Sequence, residues 1–247
     1  MTCFSTLLVD IFEKNGLSAY LSPEKTEKFD RLTALMLETN AVMNVTAITD
    51  PARVVPLHYA DSVLAAPHIP ENATVLDVGC GGGFPLLPLA IVRPDLRLTG
   101  LDSTEKKVRY VQKTAETLGL FNVATIAGRA EELAAYSEKL GDTSLRETFD
   151  VVISRAVARL RVLDELCMPF VKPGGLFIAL KGAAGEEELE EARVGVERLG
   201  GQIEQCVTYP LHLLDTEEAR ALIVVRKIAA TPREFPREFG KMKKKPL

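Results

Sequence analysis

The spacing of apolar residues divides the chain into a helical first part and a second part in which short strands alternate with helices. Apolar positions recur with a helical period over residues 4–14, and a second helix is predicted to begin at Ser22-Pro23, an N-cap followed by a first-turn proline. The pair Asp50-Pro51 predicts the start of a third helix in the same way. Pro67 and Pro70 then interrupt the pattern, and we predict a boundary there.

Beyond residue 70, apolar runs of strand length alternate with segments that suit helices. This alternation predicts βαβ units, and therefore an α/β fold with a doubly wound, mostly parallel, Rossmann-like sheet covered by helices on both faces. The last two strands follow each other without a helix, so we expect them to pair as an antiparallel hairpin at the sheet edge. The predicted strands are residues 74–78, 97–101, 123–127, 150–154, 176–180, 202–209 and 219–227, and the predicted helices are residues 86–93, 104–118, 159–171 and 186–199.

Charge is distributed unevenly along the chain. The formal net charge is -4, but from Arg226 to the end eight cations face two carboxylates, so this segment carries +6 and the rest -10. A basic tail on an acidic body indicates a local surface for phosphate groups, although a solvated tail that aids solubility would have the same composition. The candidates for contact with a polyanionic substrate are Lys241, Lys243, Lys244 and Lys245.

The composition is that of a folded protein, with 47% hydrophobic and 26% charged residues. No apolar run reaches the roughly 18 to 20 residues that a membrane span requires. The first ten residues also lack the pattern of a signal peptide, so we expect a cytoplasmic protein, without a membrane partner. The four cysteines lie far apart without a Cys-x-x-Cys pair, which predicts reduced thiols and neither a metal site nor a disulfide framework. A monomer is expected.

Glycines follow directly after the first predicted strand, in Asp77-Val78-Gly79-Cys80-Gly81-Gly82-Gly83. In a doubly wound sheet this is the carboxyl end of a central strand, where ligands bind, and glycine lets a ligand approach the backbone closely. A dinucleotide fingerprint needs a small residue where Phe84 stands, and the Gly-Lys-Ser/Thr of a Walker loop is absent. The remaining pattern resembles the first motif of class I S-adenosylmethionine-dependent methyltransferases. We therefore expect Gly79 and Gly81 to bind that cofactor rather than to form only a tight turn.

Residues after the next two strands support a nucleoside ligand. Asp102, at the end of the second strand, can accept hydrogen bonds from both ribose hydroxyls. Alternatively, Asp102 is an acid stabilised by the N-terminus of the following helix. Gly128-Arg129-Ala130-Glu131, after the third strand, occupies the place where enzymes of this class hold the adenine.

The sequence after the fourth strand bears on the acceptor atom. Transfer to an exocyclic amine in this superfamily usually goes with Asn/Asp-Pro-Pro-Tyr/Phe, but this chain has Ser154-Arg155-Ala156-Val157 there. Transfer to a pyrimidine carbon needs a cysteine nucleophile at a comparable depth, whereas Cys167 lies in the following helix among apolar residues. A ring nitrogen with a free in-plane lone pair, such as guanine N7, needs neither device, and the protein then mainly supplies proximity and alignment.

Motifs along nearly the whole chain resemble those of one family, the bacterial small-subunit ribosomal RNA guanine-N7 methyltransferases, also called the glucose-inhibited division protein B family. The similar segments are Asn44-Val45-Thr46-Ala47-Ile48, His58-Tyr59-Ala60-Asp61-Ser62, the glycine loop through Phe84-Pro85, Leu101-Asp102-Ser103, Ile153-Ser154-Arg155-Ala156, Thr231-Pro232, Phe235-Pro236-Arg237 and Pro246-Leu247. Two positions depart from the family pattern. Leu86 stands where the family usually has glycine, and Cys80 stands where it often has serine or threonine, so we expect Leu86 to crowd the start of the helix.

The resemblance implies an enzyme that uses S-adenosylmethionine to methylate N7 of a guanine in the decoding region of 16S ribosomal RNA, with the small ribosomal subunit as its partner. The change of pattern near residue 70 and the basic segment at the end divide the chain into an N-terminal helical extension (1–70), a methyltransferase domain (71–230) and a basic C-terminal tail (231–247). The cofactor contacts that the resemblance implies are Gly79, Phe84, Asp102, Ser103, Thr104, Ala130, Glu131 and Arg155.

Candidate catalytic residues have less distinctive surroundings in the sequence. Arg155, at the end of an apolar strand, either holds the cofactor, contacts RNA phosphate or pairs with a structural acid. Asn44 either lines the acceptor pocket or ties down a loop, as does Thr46. Lys181, after the fifth strand, is predicted to lie near the target base. His58 and Asp61 share a helix face, where they either act in catalysis or join the first helices to the sheet.

Two other functions are compatible with these residues. One is a methyltransferase that acts on a small molecule or a protein, which would work without RNA. The other is a non-catalytic ribosome-assembly factor that binds RNA and keeps the fold as a platform, which would release no S-adenosylhomocysteine.

Overall fold

The computed structural model describes residues 3–135, 144–155 and 157–247. Seven strands in these ranges form one sheet in the order β3-β2-β1-β4-β5-β7-β6. The strands are Thr74–Val78 (β1), Arg97–Asp102 (β2), Val123–Ala127 (β3), Phe149–Arg155 (β4), Val171–Gly182 (β5), Gly201–His212 (β6) and Glu217–Lys227 (β7). The helices are Cys3–Lys14 (α1), Pro23–Asn40 (α2), Pro51–Val54 (α3), Asp61–Val63 (α4), Leu86–Val92 (α5), Glu105–Thr117 (α6), Ala130–Leu133 (α7), Leu160–Cys167 (α8), Gly185–Arg198 (α9) and Phe239–Lys244 (α10).

The order of the strands creates a crevice beside β1. The chain runs from β1 outward to β2 and β3, and then crosses to β4 and β5 on the other side, with these five strands parallel. Ligands of doubly wound sheets bind where the strand order reverses, at the carboxyl ends of the strands. The predicted fold class is confirmed. The predicted hairpin also forms, with β7 paired to β5 and β6 at the edge.

One predicted helix is too long. The segment 159–171 was expected to be helical throughout, but α8 ends at Cys167 and a 3-10 turn, Met168–Phe170, leads into β5. Pro169 lacks a backbone N–H and its ring clashes with the preceding turn of an α-helix, so the α-helix does not continue through this position. β5 consequently begins at Val171, five residues before the predicted start.

The N-terminal helices pack on the sheet domain and share its core. Ser22 caps α2 as predicted, since its hydroxyl accepts a hydrogen bond from Lys25 N at 3.3 Å. The apolar faces of α1 and α2 are buried in one hydrophobic cluster with residues of β1 and α5. A π-helical segment, Val55–Ala60, joins α3 to α4. The prolines near residue 70 therefore mark a change in secondary structure and no break in the core.

The C-terminal segment is docked on the domain. Phe235 and Met242 are buried, and the Arg146 guanidinium donates hydrogen bonds to Phe235 O at 2.7 Å and Thr231 O at 2.6 Å. Several cations counted in the basic tail have internal partners. They are Arg226 with Glu204, Lys227 with Glu147 and Arg237 with Glu165. The exposed positive charge is therefore smaller than the sequence predicts and is concentrated on α10.

Candidate cofactor and acceptor site

The glycine loop turns sharply at the end of β1 because its glycines adopt left-handed backbone angles. Gly79, Gly81 and Gly83 have φ values of 78°, 52° and 89°, a region that favours glycine. A Cβ atom at Gly79 or Gly83 would lie 2.5 Å from Val157 or Leu87, respectively. At Gly81 it would meet only Gly79 O at 3.8 Å. The open side of Gly81 is therefore the side on which a ligand fits.

Asp102 ties the glycine loop to the end of β2. Its Oδ2 accepts a hydrogen bond from Gly81 N at 3.0 Å, and its Oδ1 accepts one from Thr104 N at 2.8 Å. Each carboxylate oxygen has a second lone pair, so the group can still accept from two ribose hydroxyls. Both sequence interpretations of Asp102 thus fit the geometry, because the residue organises the start of α6 and faces the cavity. Its contact with ribose remains a prediction.

A cavity of about 560 Å³ opens between the glycine loop and the carboxyl ends of the strands. Most of the predicted cofactor residues line it, and Thr104, which precedes α6 as its N-cap, does not. The predicted residues on its wall are Gly79, Gly81, Phe84, Asp102, Ser103, Ala130, Glu131 and Arg155. Further wall residues that the cofactor prediction omitted include Val45, Thr46, His58, Lys107, Val157 and Phe239.

Phe84, His58 and Arg155 form one wall of this cavity. The rings of Phe84 and His58 stack with centroids 4.3 Å apart and an interplanar angle of 10°. The Arg155 guanidinium lies 5.6 Å from the Phe84 centroid, within the range of a cation–π contact. Phe84, which stands where a dinucleotide fingerprint needs a small residue, thus connects the glycine loop to the N-terminal extension.

Arg155 pairs with a structural acid, which is one of the three roles that its sequence context allows. Its Nη1 donates to Asp61 Oδ2 at 2.9 Å and to Leu57 O at 2.8 Å. Asp61 also accepts from Arg220 Nε of β7 at 3.2 Å. The side chains of Arg155, Arg220 and Asp61 are only 13%, 17% and 7% exposed. Asp61 therefore joins the N-terminal extension to β4 and β7. Nothing in the sequence indicates that Arg220 of β7 is one of its partners.

Asp77 of the glycine motif is not among the site residues that the sequence predicts. Its carboxyl group is fully buried, and among the described residues it has only a poorly aligned backbone contact with Leu86 in place of a well-formed hydrogen bond. Burial raises the pKa of Asp77 to about 7, against the opposing effect of the Arg155 charge. Asp77 does not line the cavity, but it precedes the glycine loop by two residues, and a positively charged ligand at this end of β1 would stabilise its ionised form. S-Adenosylmethionine carries such charge on its sulfonium and ammonium groups, and the Asp102 lone pairs fit its ribose.

The other candidate residues lie in different surroundings. Lys181 is 8% exposed, pairs with Glu188 at 2.7 Å and donates to Ala158 O at 2.7 Å. It lines a second cavity of about 620 Å³ on the far side of Arg155. Asn44 is exposed and lines neither cavity. Ala156, part of the motif after β4, lies outside the described residues.

The basic residues of α10 lie near the site rather than inside it. Phe239 lines the cofactor cavity, and Lys243, 5.6 Å from the Phe239 ring, lines a third cavity together with Val157 and Arg159. Lys241 pairs with Glu238 at 3.4 Å, and Lys244 and Lys245 are exposed. The tail therefore contributes to the cavity wall, although it follows the last strand.

The two departures from the family pattern have different positions. Leu86 is fully buried and packs beneath β2, where a Cβ atom at Gly100 would lie 2.7 Å from it, and it does not line the cavity. Cys80 does line the cavity, and burial raises the pKa of its thiol.

The described part of the chain contains no group of His, Cys, Asp and Glu side chains suited to a metal ion. No helix in these ranges is long and apolar enough to span a membrane.

Solved structures with the same fold define the class. The chain is similar to TYW2 from M. jannaschii in complex with AdoMet (TM-score 0.53, 16% identity, covering 68% of this chain and 75% of that chain). It is also similar to an O-methyltransferase from Bacillus cereus in complex with SAH (TM-score 0.53, 15% identity, covering 79% and 90%). The protein has the Rossmann-like fold of the class I S-adenosylmethionine-dependent methyltransferases.

Sequence relatives identify the family within that class. The family described as rRNA small subunit methyltransferase G (GidB) matches residues 25–214. Proteins named Ribosomal RNA small subunit methyltransferase G are 40% identical in Brevibacillus brevis, over 96% of this chain and 97% of the relative, and 42% identical in Staphylococcus carnosus, over 97% of each. The chain belongs to this family, as its motifs predicted. It is a methyltransferase, and its methyl donor is S-adenosylmethionine.

Proposed function

We propose that the protein transfers a methyl group to N7 of a guanine in 16S ribosomal RNA of the small subunit, and that it acts in the cytoplasm as a monomer. The relatives carry the name of a small-subunit ribosomal RNA methyltransferase. The observation that carries the proposal is the arrangement of two cavities that share His58, Arg155 and Val157 on their walls. One cavity has the features of the cofactor site, so the other is the entrance for the acceptor.

The second cavity has a lining that suits RNA. Its cationic residues are Arg53, Arg155, Arg159, Lys181 and Arg220, and its acids are Asp61, Glu188 and Glu218. Arg155, Lys181 and Arg220 are paired with these acids. The exposed Arg53 remains to attract phosphate groups, whereas Arg159, which is also exposed, pairs with Glu191 at 3.1 Å and Glu187 at 4.0 Å.

The chemistry of N7 agrees with the state of the side chains near Arg155. S-Adenosylmethionine, when bound, supplies an electrophilic methyl group. The N7 lone pair forms the new N–C bond while the S–C electron pair remains on sulfur, so no proton has to leave the acceptor. His58, Asp61 and Lys181 are each held by hydrogen bonds or ion pairs rather than being available as bases. These residues would therefore shape and orient the site, which is the main contribution that such a displacement requires.

The decisive experiment is methyl transfer to small subunits from a strain that lacks this methyltransferase. Purified protein and labelled S-adenosylmethionine should place one methyl group on a guanine of 16S RNA, and chemical cleavage at 7-methylguanine should map it. Parallel reactions with naked 16S RNA determine which form is the substrate. Labelling of a protein or small molecule instead of RNA, or binding without release of S-adenosylhomocysteine, would refute the proposal in favour of the two other functions.

The role of α10 in RNA binding needs a separate test. We expect the double substitution Lys244→Gln and Lys245→Gln to weaken RNA binding and to flatten its salt dependence by about 0.7 to 0.9 per lost phosphate contact. Cofactor affinity should not change, because neither lysine lines the cofactor cavity. Adding Lys241→Gln and Lys243→Gln should enlarge the effect. The matched control is Lys28→Gln with Lys113→Gln, which removes the same charge away from the cavities. Equal salt slopes in both double variants would assign the tail lysines to solubility alone.

A further inference from the structure

Thr46 lies in the loop between α2 and α3, and its position is fixed by a side chain from the end of α2. Asn40 Oδ1 accepts hydrogen bonds from Val45 N at 2.8 Å and from Thr46 N at 2.9 Å. The half-buried Thr46 side chain lines the cofactor cavity and not the second cavity, but its hydrogen-bond partner His58 lines both, so the hydroxyl lies close to the junction where the acceptor base has to reach the methyl donor. Its hydroxyl is therefore held at the junction of the N-terminal extension and the glycine loop.

The protonation of His58 follows from its neighbours. Arg155 Nη2 lies 3.3 Å from His58 Nδ1, and a guanidinium can only donate, so Nδ1 is the acceptor. Burial and the charge of Arg155 lower the pKa of His58 to about 3, which keeps the ring neutral. The single ring proton consequently resides on Nε2, and this atom faces Thr46 Oγ1 at 2.8 Å.

The hydrogen bonds around Thr46 leave its hydroxyl as a donor. Oγ1 accepts one hydrogen bond from His58 Nε2 and a second from Ile48 N at 3.0 Å. A hydroxyl oxygen has two lone pairs, and both are now used. No acceptor for the hydroxyl proton is found among the described residues, and the cavity is the space beside it. Thr46 can therefore donate to a ligand but cannot accept from one.

We propose that the Thr46 hydroxyl donates a hydrogen bond to O6 of the target guanine and so selects guanine over adenine. The proposal rests on the proposed function. On the edge of guanine that carries N7, O6 and N7 are both acceptors, whereas adenine has an amino donor at position 6. A donor on O6 orients this edge while leaving the N7 lone pair free to react. The adenine amino group would instead meet a hydroxyl oxygen without a free lone pair, and two donors would face each other.

The neighbouring network provides the rigidity that such selection needs. His58 is stacked on Phe84 and bonded to Arg155, and Arg155 is bonded to Asp61. The hydroxyl cannot rotate to accept from adenine unless it gives up a bond from His58 or Ile48. The cost of leaving a buried donor unpaired therefore opposes the wrong base.

The test combines two variants of the full chain with a base analogue. Small subunits are reconstituted with 16S RNA that carries guanine or 2-aminopurine, which lacks O6 but keeps N7, at the position mapped for the wild-type protein. Thr46→Ser keeps the hydroxyl, and Thr46→Val removes it at nearly constant volume. We expect the ratio of kcat/KM for guanine to that for 2-aminopurine to be similar in the wild type and Thr46→Ser, and about tenfold lower in Thr46→Val.

The ratio of the two bases separates this role from a structural one. Damage to the loop by Thr46→Val lowers methylation of both bases equally and leaves the ratio unchanged, which would overturn the proposal. A weaker Kd for S-adenosylhomocysteine with an unchanged ratio would also overturn it, because the hydroxyl would then serve the cofactor. The proposed function itself fails on a different result, namely that the wild type places no methyl group on N7 of a guanine.

Discussion

Replacing Asp61 by alanine should destabilise the protein far more than an ordinary loss of one surface charge. Its carboxylate accepts from Arg155 at 2.9 Å and from Arg220 at 3.2 Å, and its side chain is 7% exposed. The substitution leaves two poorly solvated guanidinium groups beside each other without the anion between them. The N-terminal extension also loses its ionic link to β4 and β7.

The magnitude follows from the positions of these charges. Two guanidinium groups that bind one carboxylate lie about 6 Å apart, and at an effective dielectric constant of about 20 their repulsion is about 3 kcal/mol. Measured losses from removing one partner of a buried ion pair are about 3 to 5 kcal/mol. Partial exposure of the arginines places the expected loss for Asp61→Ala near the lower end, at about 3 kcal/mol.

Urea unfolding of the free protein, monitored by circular dichroism, measures this loss. The matched control is Glu218→Gln, because Glu218 binds the same Arg220 at 2.9 Å but is 40% exposed. An exposed pair contributes about 0 to 1 kcal/mol. If the two variants have free energies of unfolding within about 1 kcal/mol of each other, Asp61 does not hold the three elements together and the electrostatic reasoning is wrong.

Three further predictions concern the cofactor cavity. Gly81→Ala should weaken S-adenosylhomocysteine binding, measured by calorimetry, with a small loss of stability. Gly83→Ala should mainly lower the melting temperature, because its Cβ would clash with the core side chain of Leu87. Equal effects of the two substitutions on binding and melting temperature would contradict the assignment of the open side of the loop. Asp102→Ala should reduce cofactor affinity by about 1.5 to 3 kcal/mol and Asp102→Asn by less, since one acceptor oxygen survives; normal binding by both would limit Asp102 to the start of α6. The pKa of Asp77 is raised from 3.8 to about 7 and that of His58 is lowered from 6.5 to about 3, so lowering the pH from 6.5 to 4 stabilises the folded protein through Asp77 and destabilises it through His58. As the pH falls over this range, Asp77→Asn should therefore lose up to about 1.4 kcal/mol of unfolding free energy per pH unit relative to the wild type, and His58→Asn should gain stability relative to it. If the unfolding free energy of each variant depends on pH in the same way as that of the wild type, neither pKa is shifted.

The sequence predicted those parts of the site that depend on local pattern. The glycine loop follows β1, Asp102 is the last residue of β2, and Ala130 and Glu131 begin α7 shortly after β3, so finding the strands was enough to bring them together. The strands themselves were recognisable because parallel strands buried on both faces are almost continuously apolar. Boundaries were less accurate, as in the helix that ends at Cys167.

Contacts between distant segments could not be predicted in this way. Asp61 and Arg220 are 159 positions apart, and nothing in either neighbourhood indicates the other. Thr46 and His58 also line the cavity, and this could be predicted only by knowing the path of the N-terminal extension over the sheet. The position of Phe239 on the cavity wall is not predicted from the charge of the C-terminal tail, because the apolar residues of the tail determine where it docks.

The place of β7 in the sheet has a consequence for how the protein reaches its native state. Residues 217–227 are the last strand to leave the ribosome, yet they fill the gap between β5 and β6. Until they emerge, the apolar edge of β5 is unpaired, and such edges promote association with other chains. Arg220 arrives with the same segment, so the wall of the second cavity is completed only after the other strands of the sheet have been synthesised. Closure of the sheet is therefore expected only after β6 and β7 have both been synthesised, and a chain truncated before residue 217 should aggregate rather than form a smaller stable domain.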